Sequence, residues 1–270
     1  MTSQSEKAER FLALHHGETA LVMPNPWDIG SARILESLGF QALATTSSGH
    51  AATLGRLDGG VTLDEAIDHA TDIAGAVDVP VSADLENAFA DEPEAVAATI
   101  TRAVATGLSG CSVEDYSRES GLYARELAAE RVGAASEAAH AGTVHLVLTA
   151  RAENFIRGNP DLADTIARLQ SFQAAGADVL FAPGLSKLED IRQVVASVDL
   201  PLNVLAGPNA PTVAELSNAG VKRISVGGTF FYVGVGAVAE AARELLEQGT
   251  YGFWSTAGPG GGIARAAFTR

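Results

Sequence analysis

The sequence predicts an α/β chain folded as one (β/α)8 TIM-type barrel. Three observations predict it. The length of 270 residues suits a single barrel without forcing a second domain. Eight short apolar runs alternate with segments of helical spacing. Glycines recur between the end of a helical segment and the next run, which is the grammar of repeated βα units. A doubly wound open sheet is the runner-up, but no G-x-G-x-x-G follows the first run.

In chain order, a short amphipathic helix around Glu6–Leu14 is expected to cap the bottom of the barrel. The eight candidate strands are Leu21–Met23, Ala42–Thr45, Val79–Asp84, Cys111–Glu114, Val144–Thr149, Val179–Ala182, Leu202–Leu205 and Arg223–Val226. After the second, Leu63, Ala66, Ile67, Ala70, Ile73, Ala74 and Val77 share one helical face. Val96, Ala97, Ile100, Ala103 and Val104 do so after the third, Leu162, Ile166 and Leu169 after the fifth, and Leu188, Ile191, Val194 and Val198 after the sixth. Thr62 with Glu65, and Thr212 with Glu215, have capping-box spacing, and Pro93 suits a first helical position. Gly39, Gly107, Gly176 and Gly220 stand where helices would stop. Residues 1–255 therefore read as one barrel domain. Residues 256–270, opening on Thr256–Gly262 (TAGPGGG), read as a flexible C-terminal tail.

Composition narrows the function. Eighteen Lys and Arg against 33 Asp and Glu leave a formal charge of −15, which repels phosphate backbones and anionic lipid and argues against nucleic-acid and membrane partners. One cysteine, Cys111, excludes an internal disulfide framework and any multi-cysteine metal site. The first ten residues lack the basic start and apolar stretch of a signal peptide, and no run approaches a membrane span, so a cytoplasmic enzyme or binding protein is expected.

In a barrel the chemistry gathers at the C-terminal ends of the strands. Those ends carry Asn25, Trp27 and Asp28; Thr46 to His50, with Asp58 beyond; Asp84 and Glu86; Glu114 and Asp115; Arg151 and Glu153; Asn203; and Gly227–Gly228. If the third strand persists, alternation sends Asp84 and Glu86 to one side, beside Glu114 on the next strand. Three adjacent carboxyls repel unless a cation or a proton intervenes, and a hard divalent ion with oxygen ligands resolves this. The competing explanation is that these acids cap helices or pair with Arg151 and Arg118. Arg151 can grip a substrate carboxylate with two parallel donors. Ser47, Ser48 and Gly49 form a small-residue turn whose amides could hold a second carboxylate, or a plain loop.

These segments together resemble the isocitrate lyase/phosphoenolpyruvate mutase superfamily from about Leu21 to Val233. The likeness rests on Asn25-Pro26-Trp27-Asp28, Thr45 to Gly49, Gly55-Arg56-x-Asp58, Asp84-x-Glu86, Gly110-x-x-Val113-Glu114-Asp115, Thr149 to Glu153, Gln173-x-x-Gly176-Ala177-Asp178 and Pro201-x-Asn203-Val204. The resemblance implies a barrel whose last helix is exchanged between subunits of a homodimer or homotetramer. It implies Mg2+, with Mn2+ as a substitute, and substrates that are small anionic 2-oxo or 2-hydroxy acids. Carried over motif by motif, Asp84, Glu86 and Glu114 would hold the metal, largely through water. Asp58 would lie near metal and substrate. Ser47, Ser48, Gly49, Arg151 and Asn203 would bind substrate, and Arg151, Asp58 and Glu114 would act in catalysis. The family usually has Asp where Glu86 stands.

The departures bear on the reaction. The lyases' Cys-containing loop is absent, since Tyr116 to Tyr123 (YSRESGLY) contains no cysteine. Cys111 is out of phase with Glu114 and reads as a core residue. The Lys-x-Asn segment of phosphonomutase lids is also missing. Tyr116, Tyr123, Arg118 and His50 are the candidates to replace the acid/base, each more at home in a structural role; His145 reads as structural. The leading expectation is a Mg2+-dependent carbon–carbon lyase or decarboxylase for a small 2-oxo or 2-hydroxy dicarboxylate. Phosphonopyruvate-type C–P chemistry, a non-catalytic 2-oxo acid binder and a phosphate-binding barrel are the rivals.

Overall fold

The computed structural model describes residues 2–269. Its elements in order are α1 (Gln4–Leu14), β1 (Leu21–Met23), α2 (Ile29–Ser37), β2 (Leu43–Ala44), α3 (Ser47–Thr53), α4 (Leu63–Ala76), β3 (Val81–Asp84), α5 (Pro93–Val104), β4 (Gly110–Glu114), β5 (Tyr116–Ser117), β6 (Gly121–Leu122), α6 (Arg125–His140), β7 (Val147–Arg151), α7 (Leu162–Ala174), β8 (Val179–Phe181), α8 (Leu188–Ser197), β9 (Leu202–Leu205), α9 (Val213–Asn218), β10 (Arg223–Ser225), α10 (Thr229–Gln248) and α11 (Trp254–Phe268). Eight strands form one parallel sheet in the order β1-β10-β9-β8-β7-β4-β3-β2, the (β/α)8 barrel expected. Only β5 and β6 stand apart, as a small antiparallel hairpin over the mouth.

The seam between β1 and β2 is closed by few bonds. Ala44 N–H donates to Pro24 C=O at 3.1 Å. The Asn25 side chain completes the closure: Nδ2 donates to Thr45 C=O at 3.1 Å, while Oδ1 accepts from Val226 and Gly227 N–H at 3.0 and 2.8 Å. One amide thus joins the first strand's exit to its neighbours on both sides.

The main core lies between strands and helices, where Ile73, Ile100, Leu148, Leu169, Phe172, Leu180 and Val194 are fully buried. Cys111 belongs to this outer layer, and burial pushes its thiol up to about 12, so it is inert. A second cluster, Phe11, Leu21, Met23, Ala42, Ala44, Val147 and Val179, fills the bottom of the lumen. Phe11 of α1 is its plug. A Cβ on Gly110 would come within 2.7 Å of the Phe11 ring, so glycine makes room for it. Truncating such a plug to alanine costs about 3–5 kcal/mol.

The caps expected at Thr62/Glu65 and Thr212/Glu215 are present, as is Pro93 in the first turn of α5. The third strand ends at Asp84, as read from the sequence, so the condition for Glu86 to follow by alternation is not met. One expectation is corrected. Within the stretch expected to be a flexible tail, the described residues form α11, with Pro259 inside it. The helix is held by packing against α2, with Phe268 beside Gly30 and Ala267 buried, a tertiary effect invisible to local propensity. The helix before it, α10, buries none of its residues, and Tyr232, Val233, Val235, Val238, Leu245 and Leu246 stand exposed on it. No helix among the described residues is long and apolar enough to cross a membrane.

Candidate active site

A cleft of about 510 Å3 opens at the C-terminal ends of the strands, lined in part by Ser47, Asp58, Glu86, Glu114, Arg118, Arg151 and Arg157. A narrower space of about 170 Å3 continues into the lumen past Asp84, Asn203, Ser225 and Gly228, sharing Ser47, Asp58 and Arg151 with the cleft.

Arg151 is the hub. It ends β7 with its side chain largely buried, and its Nη1 lies 3.3 Å from Glu114 and 3.8 Å from Asp84. Its Nε donates to Glu153, which is fully buried and also takes Arg157 Nη2 at 2.9 Å. Burial alone would lower the Arg151 pKa, but Glu114, Glu153 and Asp84 outweigh it and hold the guanidinium firmly protonated. Burial pushes the Glu114 carboxyl well up, with Arg151 opposing and Glu153 and Asp84 adding to the rise.

Glu86 reaches the cleft by an unexpected route. Its φ is 50°, and Ala88 and Phe89 follow at 60° and 55°, three non-glycine residues in the left-handed region. Arg131 of α6, 1% exposed, holds this turn by donating to the carbonyls of Asn87, Ala90 and Asp91, and it also reaches Glu114 C=O. Glu114 N–H donates to Glu86 C=O at 2.9 Å, tying the turn to the next strand. Burial, then Asp84 and Asp58, raise the Glu86 carboxyl to about 7.

The Thr46–His50 segment is the start of α3 rather than an open turn. Ser47 N–H donates to Asp84 Oδ2 at 3.2 Å, and Gly49 N–H to Thr46 Oγ1 at 3.3 Å. This corrects the expectation for Gly49: its amide is engaged. Its requirement is space, since a Cβ there would lie 2.6 Å from Thr46 Cγ2 and 3.2 Å from Trp27 Cβ. Asn203 Nδ2 donates to Ser225 Oγ at 3.1 Å, leaving Oδ1 buried and unpartnered in the lumen.

The β5–β6 hairpin crosses the mouth. Arg118 extends from it to Asp58 at 3.5 Å, both side chains about half exposed, and lies directly on Gly59, where a Cβ would stand 1.8 Å from Arg118 Nε. Tyr116 stacks under Arg157, whose guanidinium is 3.8 Å from the ring centre. Tyr123 is withdrawn from chemistry: its hydroxyl donates to Asp91 and accepts from Asn87. His50 is half-buried and stacked 3.7 Å from His69, behind the cleft wall. His145 lies at the opposite end of the barrel, before β7.

Three cations that hold the mouth together escaped the sequence reading. Arg131, Arg157 and Arg168 all sit in helical or loop sequence where an arginine ordinarily faces water. Arg168 Nη1 pairs with buried Asp115 at 2.9 Å, and Asp115 in turn accepts from Glu153 N–H at 2.8 Å. The one available signal was the surplus of acids at strand ends, which demands buried cations.

The barrel and this arginine–carboxylate mouth define a TIM-barrel enzyme with its candidate active site at the C-terminal ends of the strands. The phosphoenolpyruvate phosphomutase family model matches residues 11–246, and the chain belongs to that family, within the isocitrate lyase/phosphoenolpyruvate mutase superfamily. A solved structure from Burkholderia cenocepacia J2315, provisionally classed as a lyase/mutase, superposes with a TM-score of 0.93 at 45% identity, covering 97% of this chain and 95% of that one. The 2-methylisocitrate lyase of Halalkalibacterium halodurans is 28% identical over 261 residues, 92% of this chain and 85% of its own. The oxaloacetate decarboxylase of Pseudomonas savastanoi pv. phaseolicola is 26% identical over 255 residues, 90% and 86% of the two chains.

Proposed function

We propose that the protein is a Mg2+-dependent carbon–carbon lyase or decarboxylase for a small 2-oxo or 2-hydroxy dicarboxylate. The observation that carries this reading is Arg151, a permanently charged fork set among carboxylates where the cleft narrows into the lumen. The alternative of mere ion pairing accounts for Glu153, and for Asp58 through Arg118, but leaves Glu86 beside Asp84 without an ion pair.

Those acids fit a hard cation. Asp84, Glu86 and Glu114 offer only oxygen donors, and the rise of Glu86 to about 7 marks a spot short of positive charge. Their oxygens do not converge as tightly as direct ligation of one small ion requires, because within 4.8 Å the described residues assemble a different trio. Holding Mg2+ partly through water suits the spacing. When bound, Mg2+ would polarise the α-oxygen and carboxylate of the substrate.

The chain's own groups do the rest. Arg151 offers its remaining donors to the oxygen on which negative charge develops as the bond breaks. The Ser47 and Ser48 hydroxyls, with Asn203 deeper in, bind the far carboxylate or carbonyl. The Arg118–Asp58 strap narrows the mouth while leaving water access to protonate the product carbon. Decarboxylation suits this site well, since it needs an electron sink and no strong base, and the Tyr123 hydroxyl is engaged by Asp91 and Asn87. The exposed apolar face of α10 supports a homo-oligomer in which the C-terminal helices pack on a neighbouring barrel.

The test is a panel of oxaloacetate, 2-alkylmalates and 2-methylisocitrate assayed for pyruvate or another 2-oxo acid product, with MgCl2 and with EDTA. Mg2+-dependent turnover of at least one substrate is expected. No turnover across the panel, or turnover indifferent to EDTA, would overturn the proposal.

A further inference from the structure

At the opposite end of the barrel, three side chains from three connections meet. His140 closes α6, His145 precedes β7 and Asp178 precedes β8. His140 Nε2 lies 3.0 Å from Asp178 Oδ2, and His145 Nε2 lies 2.9 Å from Asp178 Oδ1. Among the described residues this is the one group of three His, Cys, Asp or Glu whose ligand atoms all lie within 4.8 Å of one another.

The hydrogen bonds around it fix where the protons are. Ser136 Oγ donates to Gly176 C=O at 2.8 Å, and a carbonyl can only accept. The hydroxyl has a single proton, so toward His140 Nδ1, 3.2 Å away, it must act as acceptor. Nδ1 therefore carries the ring proton. In a neutral imidazole Nε2 is then a bare lone pair, and it faces a carboxylate oxygen. Two acceptors at that separation require a cation between them. Asp178 cannot turn away, because Oδ2 also accepts from Leu148 N–H at 2.7 Å.

In the metal-free site a proton on His140 and a neutral His145 donating from Nε2 satisfy Asp178, and the two rings stack 3.9 Å between centroids and 9° from parallel. A divalent ion replaces those two protons. One divalent ion satisfies both nitrogens and the carboxylate together. The bond from His140 Nδ1 to Ser136 is also the kind of outer contact that orients a metal-binding imidazole.

We propose that His140, His145 and Asp178 form a site for a borderline divalent transition ion, Zn2+ by preference, at the base of the barrel. Two imidazoles and one carboxylate select such an ion over Mg2+. Ligands of a tetrahedral zinc stand about 3.3 Å apart, and stacked rings aim their Nε2 lone pairs in parallel, so the half-exposed His145 must swing out of the stack for both nitrogens to meet one ion. A water completes the shell. Lying far from the mouth and joining α6, β7 and β8, the ion would act as a staple for the fold rather than in the reaction.

The test uses the full chain, stripped of metal and returned to millimolar MgCl2 so that hard-ion sites are filled. Zn2+ is titrated calorimetrically, and Co2+ is added separately to read its visible spectrum. Wild type should bind one Zn2+ tightly, gain a few degrees in Tm on binding, and give a Co2+ spectrum with nitrogen ligation. His145→Ala should fold normally and bind Zn2+ about 100-fold more weakly or not at all, with no gain in Tm; Ser136→Ala should weaken binding about 10-fold. Absence of Zn2+ binding by wild type, or equal binding by His145→Ala, would overturn the proposal.

Discussion

Two arginines line the same lumen and live in opposite surroundings. Arg151, at the C-terminal end of β7, has Glu114, Glu153 and Asp84 around it, and its charge is reinforced. Arg223, at the start of β10 and 3% exposed, has no carboxylate partner among the described residues. It donates to His15 Nε2 at 3.3 Å and Thr149 Oγ1 at 3.0 Å, its Nε is unpartnered, and burial lowers its pKa to about 9. The barrel thus concentrates opposite charges at the C-terminal ends of the strands and leaves Arg223 undercompensated deeper in the lumen. The lesson is that a buried arginine marks chemistry only when carboxylates have been brought to it.

The comparison can be broken most severely at Arg151. Arg151→Met strips the counter-charge from buried Glu153 and Glu114, so urea denaturation should show a loss of about 3–5 kcal/mol, and turnover of any substrate found should fall by about 1000-fold or more. The next largest effect is pH-dependent and belongs to Arg223's neighbour. His15 is fully buried, and burial, then the Arg223 charge, lower its pKa to about 3. Its folded value lies below its unfolded one, so the unfolded chain takes up the proton first. Stability is complete above pH 6.5 and declines as pH falls toward 3. Between pH 6.5 and 5 His15 alone should remove about 2 kcal/mol, and His69, lowered to about 4 by burial and His50, adds in the same direction. Denaturant midpoints across that range read it directly.

A smaller effect is expected at the mouth. Gly59, at φ 72°, carries the Arg118 side chain against its Cα, so Gly59→Ala should displace Arg118 from Asp58 and cost roughly 1 kcal/mol. The functional readout is a raised KM rather than a lost kcat. The smallest effect should be Arg223→Met. Removing an undercompensated buried cation should change stability by no more than about 1 kcal/mol in either direction, and it should flatten the acid decline attributed to His15. A loss as large as that of Arg151→Met would erase the distinction between the two arginines.

Much of the barrel was legible because each βα unit repeats the same local signals. The Thr62 and Thr212 capping boxes, Pro93 and the glycines between helix and strand all act within a few residues. The site was legible as a roster, because strand ends carry it. Its geometry was not. The strand ends at Asp84, and Glu86 turns into the left-handed region with no glycine to announce it, since Arg131, 45 positions on, supplies the restraint. Helix α11 is likewise written in the face of α2 that it covers rather than in its own glycine-rich sequence.

The turn at Glu86 has a consequence for how this enzyme can change. Its backbone would relax with glycine at 86, at the cost of the carboxylate proposed to help hold the metal. Stability and chemistry therefore pull in opposite directions at a single codon. A lineage released from its substrate should lose Glu86 early, and a laboratory selection for heat resistance alone should discard it before any other residue of the mouth.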